Sequence, residues 1–503
     1  MKIIPADTFS NWDKSSLKRF LKDCQQAALN DGHLKIASIS MAVRHIDPLA
    51  VLEAIYEPQH LHFFCEHPQL DMAVAGAEAV AEATFSGDQR FQQVKAFASG
   101  VLKHTIAIGD LSLPFAGPHF FTGFTFADQN NEDGAPFAPA TVFLPRWQVA
   151  RQHGLYSAVA NVPVSQEVSI NLLADKVWAA HEKFCAFNYG SQDVSHPDQS
   201  SFKADAKAVD RSSVDSNQAV DSGDSLSAQD VHEVGGQGWF QNAAGSVLED
   251  IRAGRLEKIV LARAIELHAS RPLEPLTVLD QLRERFPGCY SFSMANGAGS
   301  SFIGSSPERL VRLVEGHLLT EAIAGSAPRG HSAREDAEHA QKLCRSDKDF
   351  REHNYVIQSI KGQLSGLVAE LETSAPSQLI KLRNVQHLKT VIAGKCEPGV
   401  HLLDLMAKLH PTPAVGGIPL QTAGKRIVEL EPFERGLYAG AMGWFDFSGE
   451  GECFVAIRSA LIQNDNARLY AGVGIVEGSM PEREQQETNW KLEALWQPLR
   501  KIL

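Results

Sequence analysis

The C-terminal segment 481–502 has the periodicity of a helix. At about 100° per residue, Glu484, Glu487 and Lys491 fall on one strip beside the apolar stripe Leu492, Leu495, Trp496 and Leu499. The same geometry over 347–368 places Glu352 beside Val356, Ile360, Leu364 and Leu367. Carboxylates from two helices can share one hard divalent ion, and Mg²⁺ takes one or two of them while leaving positions for water and substrate oxygens. Spacing alone favours the plainer reading of half-exposed helix charges, with Glu487 and Lys491 an i,i+4 pair worth about 0.2–0.5 kcal/mol. Two further groups invite acid/base chemistry: Lys258 interrupts an apolar strand, and Glu308 follows a Gly-Ser-Ser-Pro loop. A strand lysine more often snorkels at an edge, and a glutamate after Ser-Pro more often sits in a turn. His60, His62, Cys65 and His67 look like metal ligands, but strand alternation splits them between two faces and disfavours zinc. The Gly-Val-Gly-Ile-Val-Glu-Gly run has the wrong glycine spacing for a dinucleotide loop, and neither a Ser-His-Asp order nor a His-Glu-x-x-His helix is present.

The elements that must position these groups follow from periodicity and turn chemistry. Strands are expected at 34–43, 61–65, 120–126 and 256–267, and an Ala-rich helix at 72–85. Residues 239–253 form an amphipathic helix stopped by Gly254. Hairpins are expected over 308–321, turning at Glu315-Gly316, and from 453–463 into 467–476 through Asn464-Asp465-Asn466; helices at 347–368, 401–410 and 481–502 complete the set. Strands joined by tight turns, with helices grouped elsewhere, give an α+β fold with antiparallel sheets. The Ser/Asp-rich stretch Ser191–Gln237 carries too little apolar surface to offset its ordering entropy. It reads as a flexible acidic insertion between 1–190 and 238–503.

With 503 residues and a net charge of −13, the chain can build a sizeable core but lacks the basic footprint of a nucleic-acid or anionic-membrane binder. No run of about 18 apolar residues and no signal-peptide pattern occurs. Seven scattered cysteines without a Cys-x-x-Cys pair suit a reducing compartment. A cytoplasmic enzyme without nucleic-acid or membrane partners is the expectation.

Five blocks, taken in order, change the balance: EKIVLARA (257–264), FIGSSPERL (302–310), AIAGSAPRG (322–330), HPTPAVGG (410–417), and CFVAIRSALI through AGVGIVEGSMPEREQQETNWK (453–491). Together they resemble the chorismate-utilising enzymes, most closely the isochorismate synthases. The likeness is strong over roughly 239–503 and looser before it, where relatives complete one large α+β fold. It implies Mg²⁺-dependent conversion of chorismate to isochorismate, with Lys258 as the base activating water and Glu308 as the acid. It further implies Glu352 and Glu487 as metal carboxylates, with Glu484 nearby through water. Gly325, Arg458, Gly472 and Lys491 would hold the substrate carboxylates, with His410 and Ala414 on the loop beside the ring.

Members of the family differ at a few positions. Anthranilate synthases usually carry glutamine where Lys258 stands, and aminodeoxychorismate synthases carry a nucleophilic lysine where Ala324 stands, so no glutamine amidotransferase partner is implied. Relatives that go on to eliminate pyruvate tend to have threonine where Ala414 stands. Salicylate synthase and a non-catalytic chorismate-binding protein on the same fold remain the alternatives. The long N-terminal half looks more like the menaquinone-pathway relatives.

Overall fold

The computed structural model describes residues 1–4, 13–130, 134–186, 231–374, 378–383 and 385–500. Among them, 22 strands hydrogen-bond edge to edge into one network, antiparallel except where Thr105–Gly109 runs parallel to Lys2–Ile4 and Lys35–Ala42. Helices pack on its faces, as expected of an α+β fold. The two halves of the chain share sheets: Leu61–His67 pairs with Tyr290–Asn296, and His119–Phe124 pairs with Ala441–Asp446. One apolar cluster therefore contains Phe63, Phe121 and Phe124 together with Leu261, Phe292 and Tyr470. Burying side chains from both halves in one core makes each half depend on the other.

Most expected elements form, with two informative departures. Met72–Phe85 is a strand, not a helix, bonded on one side to Leu61–His67 and on the other to Ala140–Gln152. Alanine's helical preference amounts to tenths of a kcal/mol per residue and yields here to two ladders of backbone hydrogen bonds. Small side chains also let the neighbouring layer approach: a Cβ on Gly76 would lie 2.5 Å from the Phe121 ring. The second departure is a break in 453–463, which forms two strands, Gly451–Val455 and Ser459–Gln463. The break ends at Arg458, whose φ of 53° is incompatible with a continuing strand.

The helix expected over 347–368 stops at Leu364, and Val368 opens a strand against Val385–Cys396. The expected insertion lies outside the described residues as far as 230, but it ends earlier than 237, because Val231–Glu233 pairs with Ile265–Leu267. Among the described residues no helix is long and apolar enough to cross a membrane.

Candidate active site

Strand Lys258–His268 carries the buried lysine and pairs with Asn466–Val476 in a register that sets Lys258 opposite Val476, Val260 opposite Gly474 and Ala262 opposite Gly472. Lys258 is 1% exposed, and its Nζ donates to Glu352 Oε1 at 2.9 Å from helix Asp347–Leu364. Glycine at 474 is required for that pair: a Cβ there would lie 2.6 Å from the Glu352 oxygen and 3.1 Å from Lys258 Cε. Above the pair opens a cavity of about 570 Å³ whose wall includes Val260, Glu308, Glu352, Ala414, Tyr438 and Arg458.

Glu308 sits between Pro307 and strand Arg309–Val314, fixed through its backbone: its N–H donates to Ser306 Oγ and its carbonyl accepts from Val455. Burial pushes its carboxyl up to about 8; nearby Lys258, Lys491 and Arg458 oppose the shift, and Glu321 adds to it. At neutral pH it is a protonated acid facing the cavity.

The C-terminal helix Pro481–Arg500 brings Glu484, Glu487 and Lys491 to the same cavity, on the strip that the sequence periodicity defines. Glu487 accepts from Lys491 at 2.6 Å, and Glu484 from Lys348 at 2.9 Å. Burial alone would raise Glu487, but the Lys491 charge and hydrogen bond, with help from a Ser326 hydrogen bond, hold its carboxyl below the usual range. Burial keeps Glu484 and Asp349 raised, and Glu487 adds to both shifts. Four carboxylates thus converge from two helices, each glutamate tied to a lysine. No three metal-binding side chains meet at one point among the described residues. An all-oxygen donor set of this kind fits an ion that takes one or two carboxylates and completes its shell with substrate and water, as Mg²⁺ does.

On the wall that carries Arg458, Gly325 occupies a bulge between Ala324 and Ser326 with φ of 77°, in strand His317–Pro328. Its carbonyl lies 3.3 Å from His387 Nδ1, and Arg458 Nη2 donates to His387 Nε2 at 3.2 Å. A carbonyl only accepts, so the histidine carries its proton on Nδ1, and burial, pushing its pKa down to about 3, keeps it neutral. His387 therefore aims Arg458 without neutralising it. Lys491 Nζ also donates to the Gly472 carbonyl at 2.8 Å. Ala262, paired with Gly472, sends its own N–H to Glu431, so at this pair the polar groups of the two strands face apart, those of Gly472 toward the gap that the break at Arg458 leaves.

All the residues that the family resemblance assigns to the site line this cavity except two. Lys258 lies behind it through Glu352. His410 is turned away: it caps helix Leu402–Leu409, its Nε2 lies 3.0 Å from the Thr125 carbonyl and its ring packs on Phe91. The loop faces the cavity from Ala414 onward, so the histidine's place is in the support of that loop. The sequence reading passed over Lys348, Asp349, His387 and Tyr438. Asp349 stands one turn before His353 on the helix face that bears Glu352's neighbours, and helical spacing could have found it; a lone histidine in an apolar strand carries no such signal.

Behind the cavity, Arg435 makes a two-point pair with Glu431 at 2.5 and 2.8 Å and donates to the carbonyls of Val260 and Val415. Its guanidinium lies 4.2 Å from the centre of the Phe126 ring. This clamp fixes the Ala414-Val415 loop against the lysine strand.

The profile of the chorismate binding enzyme family matches residues 20–500. The isochorismate synthase MenF of Bacillus subtilis is 30% identical over 92% of this chain and 93% of its own. The isochorismate synthase EntC of Escherichia coli K12 is 37% identical over 48% of this chain and 62% of its own. The solved structure of MenF, the menaquinone-specific isochorismate synthase from Escherichia coli, shares the fold with a TM-score of 0.70 over 95% of this chain and 99% of that one, at 24% identity. With a cavity built from the blocks that carry the resemblance and a family match over nearly its whole length, the chain belongs to the chorismate binding enzymes.

Proposed function

We propose that this protein is an isochorismate synthase, an isomerase that adds water at ring carbon 2 of chorismate with loss of the carbon 4 hydroxyl. The observation that carries the reading is a carboxyl on the cavity wall held protonated at neutral pH, Glu308, together with a buried lysine, Lys258, set directly behind the wall residue Glu352. Lys258 takes the proton of the attacking water, for which it must be the free amine, so its hydrogen bond to Glu352 is exchanged for one to water during the reaction. Glu308 gives its proton to the departing hydroxyl, and the ring double bonds shift between the two carbons. Arg458, Lys491 and the backbone of Gly325 and Gly472 orient the carboxylates, and Ala414 borders the ring. Glu352 and Glu487 would hold Mg²⁺, with Glu484 through water; bound there it would draw electron density from the ring through its carboxylate.

Residues from 238 onward supply the chemistry, 1–190 complete the fold, and the insertion begins at 191 and ends before the Val231–Glu233 strand. Full-length similarity to the Bacillus subtilis MenF protein supports the menaquinone-type reading over the shorter siderophore type. Lysine at 258 supports activity without a glutamine amidotransferase, while the net charge of −13 and the scattered cysteines support a cytoplasmic enzyme away from nucleic acid and membrane. Coupled detection of isochorismate from chorismate, with and without EDTA, tests the reaction and its metal requirement. Turnover that EDTA abolishes and Mg²⁺ restores is expected; salicylate plus pyruvate as products, or binding without turnover, overturns the reading.

A further inference from the structure

The charges around the cavity are almost cancelled in pairs: Glu352 with Lys258, Glu484 with Lys348, and Glu487 with Lys491. Asp349 is the remaining acid on the wall, and Glu308 is neutral. Two cations of the wall have no ion-pair partner among the described residues, Arg458 and Arg483. They lie at different depths: Arg458 is buried against neutral His387, whereas Arg483 is exposed, at the cavity mouth beside exposed Met480. Arg483 sits in the first turn of helix Pro481–Arg500, and Gln486, Glu487 and Trp490 follow it at helical spacing along the cavity wall. The positive end of the helix dipole reinforces it there.

A chain of net charge −13 repels a dianion at long range. With a Debye length of about 8 Å at physiological salt, charges at the mouth decide what enters. We infer that Arg483 is a capture residue: its guanidinium attracts one carboxylate of the dianionic substrate at the mouth and passes it inward to Arg458. The inference rests on the reading of chorismate as substrate. Arg483 acts on the arrival and holding of the anion and not on the ring chemistry, so its contribution appears in KM and fades as salt rises.

The test measures kcat and KM for chorismate at low and high ionic strength in wild type, Arg483→Gln and Arg483→Glu, with melting curves to verify folding. One unit charge acting on a dianion at about 8 Å through water changes binding by about five-fold. A KM increase of about that size is expected for Arg483→Gln at low salt, larger for Arg483→Glu, shrinking toward wild type in high salt with kcat within about two-fold. Unchanged KM at low salt overturns the inference, as does a salt-independent increase or a loss confined to kcat. Wild-type protein that does not turn chorismate over defeats the functional reading instead, which separates the two failures.

Discussion

Two buried ion pairs touch strand Lys258–His268, and they are built to opposite ends. Behind the cavity, the Arg435 and Glu431 side chains are 3% and 1% exposed, bonded at two points, with the remaining capacity spent on Val260, Val415 and Ala262. Under the cavity, the Lys258 and Glu352 side chains are 1% and 12% exposed and share one hydrogen bond. The first pair, although both residues also border a smaller cavity of about 210 Å³, is tied down by backbone groups on three sides and fixes geometry. The second opens on a cavity where water, substrate or a metal ion can replace either partner. A buried charge pair is weak support for stability unless its other hydrogen bonds are satisfied, and that criterion separates the fixed pair from the working one.

Removing each cation should expose the contrast. Lys258→Ala is expected to lower turnover by about 10⁴-fold, the upper range for a general base, with the fold retained in circular dichroism. Near-normal kcat would remove Lys258 from the chemistry. Arg435→Met should act chiefly on stability, by about 3–5 kcal/mol in urea unfolding, because Glu431 is left as a buried, unmatched charge. A loss below about 1 kcal/mol, the scale of an exposed pair, would show that the two pairs are not different in kind.

Glu308 sharpens the same point through pH. Its folded pKa of about 8 lies above that of an unfolded glutamate. The native state therefore holds its proton more tightly, and the stability this contributes is complete below the unfolded value and is lost as pH rises through about 8. Turnover should fall on the alkaline side of the same value, where the acid ionises. Glu308→Gln should abolish turnover yet melt higher than wild type at pH 8, with the gap closing toward acid. A lower melting point at pH 8 would contradict the assignment of a strained, functional acid.

How far this was legible from the sequence differs between the two pairs. Glu484, Glu487, Lys491 and Glu352 could be placed on strips bordering the apolar faces of their helices because helical periodicity is a local property. That Lys258 meets Glu352 is not local: it depends on a strand register 94 residues away from the helix and on a glycine opposite Val260. Residue types in the block resemblance supplied what spacing could not. Nothing in the sequence marked the Arg435 clamp, since one arginine after Glu-Pro-Phe-Glu reads as surface charge until Phe126, from the other half of the chain, is packed over it. Met72–Phe85 failed for the same reason in reverse, its local alanine signal being overruled by strands on both sides.

The smallest expected effect concerns the stretch furthest from either pair in character. Deleting residues 191–228 leaves the Val231–Glu233 strand to pair with Ile265–Leu267 near the far end of the lysine strand. The clamp and the cavity wall, as far as the described residues go, are built from 260 onward and from Phe126. Its composition offers little apolar surface with which to contribute to the core, and shortening a long loop changes closure entropy by only about 0.6 kcal/mol per halving. Activity within a few-fold of wild type and a melting point within a few degrees are therefore expected. A folded deletion variant that has lost turnover would mean that the site needs the insertion, and that the contrast between a fixed and a working ion pair does not by itself account for how the cavity is held.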